Sequence, residues 1–384
     1  MKFNIKGSLD LRDFTLAVAL LAWMSLTKDV GGQGTRGNTS PDPVRIERTG
    51  VVMGTELRVV VDADGRDTAL AAAEYVLREV KRFDQLFSTW DPTTPMSRLN
   101  EAPLGEAMRT DQELLGLLVE VESWARRTGR VFEPAVGALV DAWGLRSGGA
   151  RPDPATLEAA RAATGPAALD VSADKGTVTR LRPDAWIDTG GFGKGAALRS
   201  AGAVLSARGI PGALLDLGGQ LLALGEDGST GGPWRVGVAH PRRRHEPVAH
   251  LRLEDVSVAT SGNQERAGTA GGEPVGHLLD PRTGRPAPIW GSVTVVAADP
   301  LVADVLSTAL YVMGPRAGLT WSAQLEDVGA LFLEERDGVL VPCWNAAMLR
   351  WLVSIDGVPL AAGDDRAPGD RRGQSCTETT TDHR

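Results

Sequence analysis

The chain has 384 residues, 42% of them apolar, more than one typical domain of about 100–200 residues needs, so a sizeable core in one large or two closely packed lobes is expected. Forty-one Lys and Arg against 49 Asp and Glu give a net charge of −8, and no stretch gathers the basic residues into one footprint, which excludes nucleic acid as a partner. Two cysteines, Cys343 and Cys376, build neither a disulfide framework nor a Cys-based zinc site, and the composition excludes collagen-like and disordered chains.

Lys2, Lys6 and Arg12 precede an apolar run from Phe14 to Leu26, long enough for a signal-peptide core and short of the ~18–20 residues that a spanning helix needs. Residues 1–30 therefore read as a signal or anchor segment, which predicts a place in the cell envelope, on its periplasmic side, and membrane association through this segment. Asp10 and Asp13 dilute its positive charge, and no lipid-accepting Cys follows. Residues 31–43 are rich in Gly, Ser, Thr, Asn and Pro and read as a linker. The domain then runs over residues 44–362. Residues 363–384 are charged and polar, bury too little apolar surface to order themselves, and read as a disordered tail.

Strands are predicted at Val44–Arg48, Val51–Met53 and Glu56–Val61, followed by a helix at Thr68–Phe87 whose apolar residues recur at helical spacing. Thr110-Asp-Gln-Glu113 reads as a capping box opening a helix to Arg127, and Pro154–Ala163 as a short helix. The second half supplies strands at Ala185–Asp188, Leu214–Leu217, Trp234–Ala239, Val248–Leu253 and Ser292–Ala297, with helices at Lys194–Ala207 and Leu301–Met313. His240, His245 and His250 flank Arg242–Arg244 between two of these strands, as on a solvated hairpin. Strands joined by turns, with few helices, predict an α+β fold of mixed, largely antiparallel sheets with packed helices rather than a doubly wound sheet.

Ile187-Asp-Thr-Gly-Gly-Phe-Gly-Lys-Gly195 lies between a predicted strand and a helix. Its glycines let a ligand approach the backbone, and the helix start offers N–H groups and positive dipole to an anion. Lys194 adds a cation; six of the 41 basic residues are Lys and it is the only one beyond position 175, which suits a need for a compact ammonium. A tight turn with a solvent-facing Lys would give the same pattern. The spacing fails a P-loop, because Asp188 and Gly195 stand where Gly and Ser or Thr are needed. An aspartic-protease reading of Asp188-Thr-Gly190 lacks a second motif, since Leu215-Asp-Leu-Gly-Gly219 has no hydroxyl residue. His277-Leu-Leu-Asp-Pro-Arg-Thr-Gly284 sets a histidine before a turn; a histidine so placed packs more often than it catalyses. In Ala303-Asp-Val-Leu-Ser-Thr308, Asp304 and Thr308 share one helix face, as two oxygen ligands of a hard cation would; helix capping by Asp304 fits the spacing equally.

In chain order, Met53-Gly-Thr55, Phe87-Ser-Thr-Trp-Asp-Pro92 with Ser97-Arg-Leu-Asn100, Phe132-Glu-Pro-Ala-Val-Gly137 with Trp143-Gly144, Asp188–Gly195, Leu217-Gly-Gly219, Thr260-Ser-Gly262, His277–Gly284 and Ala303–Thr308 resemble the FAD:protein FMN transferases, the ApbE family. The resemblance implies that family's fold in two closely associated lobes. It implies an enzyme that, with Mg²⁺, transfers the FMN half of FAD to a Thr or Ser hydroxyl of an acceptor flavoprotein and releases AMP. It sets Met53 and Trp90 against the flavin nucleotide, Trp90 by stacking, and Val131, Phe132 and Glu133 at backbone and acidic contacts to FAD. Asp188 and Lys194 would hold the nucleotide, with Leu279 the apolar residue before the Asp-Pro turn. Asp304 and Thr308 would be Mg²⁺ ligands, completed by Ser307 and the backbone carbonyl of Gly191. The acceptor hydroxyl gains from a base, for which His277 is the candidate and Asp280 a rival. Glu133, Ala135, Gln220 and Asn263 depart from the family pattern, which has Asp, Thr, Asp or Asn, and Asp at those places. An FAD pyrophosphatase giving FMN and AMP, or a flavin-binding protein without turnover, would share these motifs.

Overall fold

The computed structural model of the chain describes residues 44–263, 268–270, 273–356 and 358–359. The signal or anchor segment, the linker and the polar tail lie outside the described residues. Strands β1 (Val44–Val52) and β2 (Thr55–Ala63) form a hairpin whose two linking residues, Met53 and Gly54, have φ of 52° and 70°. Positive φ at both places is the turn that matches strand twist, and it corrects the expected strand break: β1 runs unbroken to Val52, and Met53 belongs to the turn.

Helix α1 (Arg66–Phe87) buries Ala69, Ala72, Ala73, Val76, Val80, Phe83 and Phe87, three or four apart along one stripe. Next come α2 (Pro95–Asn100), β3 (Ala107–Arg109), α3 (Gln112–Arg127), α4 (Gly137–Ala142), α5 (Pro154–Ala162), β4 (Leu169–Ser172) and β5 (Thr177–Arg180). The capping box predicted at Thr110 is corrected: Asp111 caps α3, its Oδ1 accepting the N–H groups of Glu113 and Leu114. Ala185–Asp188 is not a strand. A side chain replaces the partner strand there, since Asn100 Nδ2 donates to the Ile187 carbonyl at 3.0 Å and its Oδ1 accepts the Ile187 N–H at 2.8 Å.

The chain continues through α6 (Gly193–Ser206), β6 (Gly212–Leu217), β7 (Gln220–Gly225), β8 (Trp234–Ala239), β9 (Pro247–Leu253), β10 (Val256–Gly262), β11 (Gly268–Ala270), β12 (Glu273–Val275), β13 (Leu279–Asp280), β14 (Arg285–Pro286) and β15 (Gly291–Ala297). It closes with α7 (Pro300–Met313), α8 (Pro315–Ser322), β16 (Gly329–Arg336), β17 (Val339–Trp344), a 3₁₀ turn at Ala346–Arg350, β18 (Leu352–Ile355) and β19 (Val358–Pro359).

Eight strands pair antiparallel in the order β1-β2-β6-β7-β10-β15-β16-β17. Val293, Val295 and Phe332 point from this sheet into a core shared with α1, α6 and α7, while Val296, Leu331 and Leu333 point the other way, onto the smaller sheet β19-β18-β9-β8. Both faces are therefore dry, which is why β15 is buried at every residue. The α+β fold expected from the sequence, with largely antiparallel sheets and packed helices, is the one observed. The solvated hairpin needs one correction: β8 and β9 do pair, but His240 is buried, its Nδ1 accepting the N–H groups of Arg242 at 3.0 Å and Arg243 at 3.3 Å.

Candidate functional site

The turns β1–β2 and β6–β7, the end of β10 and the start of β15 gather at one end of the large sheet, where they meet the first turns of α6 and α7. Between them lies a cavity of about 1200 Å³. The residues taken from the sequence as catalytic, FAD-binding or metal-binding line it, except Ser307 and the rival base Asp280: Met53, Trp90, Val131, Phe132, Glu133, Asp188, Gly191, Lys194, His277, Leu279, Asp304 and Thr308. Ser307 is buried instead against the sheet, its Oγ 2.9 Å from Ser261 Oγ and 2.9 Å from the Asp304 carbonyl to which it donates.

The glycine loop is shaped by close approaches, tight at Gly191 and closed to any side chain at Gly195. Asp188 turns it by accepting the Gly190 N–H at 2.8 Å. A side chain on Gly191 would stand 3.3 Å from the Phe132 ring and 3.4 Å from Thr308 Oγ1, and one on Gly195 would collide with Pro300 O and with Asp304 Cβ at 2.8 Å. Helix α6 thus starts pressed against α7. Its N-cap, Phe192, has no side chain to cap it, and Asp304 supplies the missing acceptor across the helix pair: Oδ2 takes the Gly195 N–H at 2.8 Å, and Lys194 Nζ lies 3.4 Å from Oδ1. Capping by Asp304 is therefore real, but of the neighbouring helix; α7 itself is capped by Asp299.

Aromatic residues form another wall. Trp90 is 71% exposed, the largest apolar surface offered at the cavity. Arg146, which sequence reasoning did not single out, also lines the cavity; its guanidinium lies 4.5 Å from the Trp90 ring centre and 4.3 Å from that of Trp186. It donates to Thr89 O at 2.9 Å and approaches Asp188 Oδ2 at 3.4 Å. Only the folded chain brings residues 90, 146 and 186 together, and no local motif signals it. Glu133 is almost fully buried, with one oxygen on Arg130 at 2.8 Å and the other accepting the Ala135 N–H at 3.1 Å. Burial pushes its pKa up, against the pull of Arg130.

His277 enters from the segment between β12 and β13. Beside it, Asn263 is wholly buried and uses both ends of its amide: Oδ1 accepts the Leu278 N–H at 2.8 Å and Nδ2 donates to Ala287 O at 2.8 Å. An ionised Asp at this place has no donor for Ala287, so the departure noted in the sequence has a geometric basis. Asp280 is committed to its turn, accepting from the Arg282 N–H at 2.9 Å and from the Arg282 guanidinium at 2.9 and 2.8 Å, and it does not line the cavity. Gln220 is another of the family departures: Nε2 donates to Pro300 O at 2.9 Å, while its buried Oε1 has no hydrogen-bond partner among the described residues.

Among the described residues no three His, Cys, Asp or Glu side chains converge as a metal site, and no helix is long and apolar enough to cross a membrane. Asp304, Thr308 and Gly191 line the same cavity, and Asp304 is the one carboxylate of the three.

The ApbE family pattern matches residues 53–332. An FAD:protein FMN transferase of Rhodobacter capsulatus is 33% identical over 317 residues, covering 78% of this chain and 58% of the relative, so the chain spans well under two thirds of that protein's length. One from Klebsiella pneumoniae is 31% identical over 289 residues, covering 72% of this chain and 81% of its own. Among solved structures, an ApbE protein of Thermotoga maritima superposes with a TM-score of 0.73 at 28% identity, covering 80% of this chain and 99% of the other. The flavin transferase ApbE of Vibrio cholerae gives 0.71 at 25%, covering 81% and 100%. With the pattern running from the Met53 turn to β16 and relatives this similar, the chain belongs to the ApbE family.

Proposed function

We propose that this chain transfers the FMN half of FAD to a Thr or Ser hydroxyl of an acceptor flavoprotein and releases AMP. The observation that carries the reading is the convergence, in one cavity, of an exposed indole, a glycine loop with one ammonium, a buried carboxylate and the histidine before the Asp-Pro turn, one of four histidines that line it: Trp90, Gly190–Lys194, Asp304 and His277. In this reading the flavin stacks on Trp90 while Lys194 and the N–H groups of the loop face the pyrophosphate. The acceptor oxygen bonds to the phosphorus of the FMN half, the bond from that phosphorus to the bridging oxygen breaks, and the bridging oxygen leaves with AMP. His277 takes the proton of the hydroxyl, since Asp280 is tied to Arg282.

A magnesium ion suits the oxygen set of Asp304, Thr308 and the Gly191 carbonyl, because Asp304 is buried with its ion-pair partner Lys194 no nearer than 3.4 Å and Gly191 carries no side chain beside Thr308. What such an ion supplies when bound is positive charge against the pyrophosphate. Ser307 supports this set from behind by holding the Asp304 turn. The same reading locates the chain in the cell envelope through residues 1–30; fractionation of cells expressing the full chain tests that part, and recovery in the cytoplasmic fraction alone rejects it.

The purified full chain incubated with FAD and Mg²⁺, with and without an acceptor flavoprotein domain, tests the reaction. AMP released only with acceptor, together with covalent flavin on that acceptor, is the expected result. AMP without acceptor means an FAD pyrophosphatase, and no AMP in either case means a flavin-binding protein.

A further inference from the structure

We propose that Arg146 is a positioning residue for flavin binding, one that holds the indole of Trp90 in its stacking orientation. The inference rests on Trp90 being the flavin platform. Trp90 stands in the loop between α1 and α2 with most of its surface in water, and an indole so placed would lose rotamer freedom on stacking. Arg146 removes that freedom beforehand. Its Nη1 and Nη2 grip Thr89 O and Thr89 Oγ1, next to Trp90 in the chain, and its guanidinium lies over the Trp90 ring at 4.5 Å.

The other end of the assembly is fixed. Trp186, over which the same guanidinium lies at 4.3 Å, donates from Nε1 to Asp141 Oδ2 at 2.8 Å. Its ring fills the place where a side chain on Gly137 would be, and the Gly137 N–H donates to the Trp186 carbonyl at 3.1 Å. Arg146 also reaches Asp188 in the glycine loop at 3.4 Å. The guanidinium thus clamps an exposed loop to α4 and to the start of the loop that faces the pyrophosphate. A planar fork is required, since a lysine ammonium neither lies flat on an indole nor donates twice in one plane.

The test is FAD titration followed by flavin fluorescence, with steady-state kinetics and thermal midpoints, on wild type, Arg146→Ala, Arg146→Lys, Trp90→Ala and the Arg146→Ala/Trp90→Ala double variant. Arg146→Ala should raise the Kd for FAD about tenfold while kcat at saturating FAD stays within about threefold. Arg146→Lys should be nearly as weak although it keeps charge and fold, and the double variant should bind no more weakly than Trp90→Ala. Wild-type affinity in both Arg146 variants overturns the proposal. So do additive losses in the double variant, which mean that Arg146 touches FAD itself. Unchanged affinity in Trp90→Ala removes the platform and the proposal together, whereas a wild-type chain that does not bind FAD at all overturns the proposed reaction as well.

Discussion

Asp304 Oδ2 accepts the Gly195 backbone N–H at 2.8 Å, so a side chain of one helix closes the first turn of another. Its two jobs separate by substitution. Asp304→Ala leaves a buried N–H unsatisfied, at about 1–3 kcal/mol, and should lower the thermal midpoint as well as abolish transfer. Asp304→Asn keeps an acceptor oxygen, so its midpoint should stay near wild type while Mg²⁺-dependent AMP release is lost. Wild-type Mg²⁺ dependence in the Asn variant would refute the ligand assignment.

Gly195→Ala tests the same junction by volume. The added methyl meets Pro300 O, Leu301 Cα and Asp304 Cβ, so α6 and α7 must part, at a cost of about 1–3 kcal/mol. Transfer should fall in parallel, because Asp304 moves with α7. A variant with unchanged midpoint and activity would show that the helices yield freely there.

His277→Asn should slow transfer by roughly 10²–10⁴-fold with little change in FAD affinity, because loss of a base acts on the transition state. A packed histidine behaves differently, its loss lowering stability and affinity together. Near-wild-type transfer by a stable Asn variant ends the assignment.

Asp216 lines the cavity and burial raises its pKa above the ordinary 3.8, opposed by the Gly219 N–H that it accepts and by Arg58. The folded chain therefore holds this proton more tightly than the unfolded one, and the contribution of Asp216 to stability falls as pH rises from 3.8 through the folded pKa. Asp216→Asn has no proton to lose. Its thermal midpoint minus that of wild type should climb across this range, by a few degrees (roughly 2–4 °C for each kcal/mol), and then level off; a flat or falling difference contradicts the shift.

Much of this was legible in the sequence because periodicity and glycine placement are local. The stripe of α1, the strand β2 and the loop from Asp188 to Gly195 follow from their own residues. Strand β16 passed unread because its first five residues are all buried, helices covering one face and the small sheet the other, so the alternation that marks a half-exposed strand never appears. Ile187 misled for the opposite reason: its apolar, extended stretch looks like a strand, yet its backbone pairs with the Asn100 amide. Arg146 was invisible because its meaning lies in Trp90 and Trp186, 56 residues before it and 40 after.

The strands of the large sheet stand side by side in the order in which they are synthesised. Growth on the ribosome can therefore proceed from one edge without threading, with a single long pause. After β2 is complete, residues 64–211 must emerge before β6 arrives to pair with it, on the order of ten seconds at ordinary elongation rates. During that interval the β1–β2 hairpin offers an unpaired edge to any other nascent copy. Stalled chains that end before Gly212 should co-sediment as aggregates, and chains extended past Gly225 should not; equal solubility of the two would show that α1 covers the edge first.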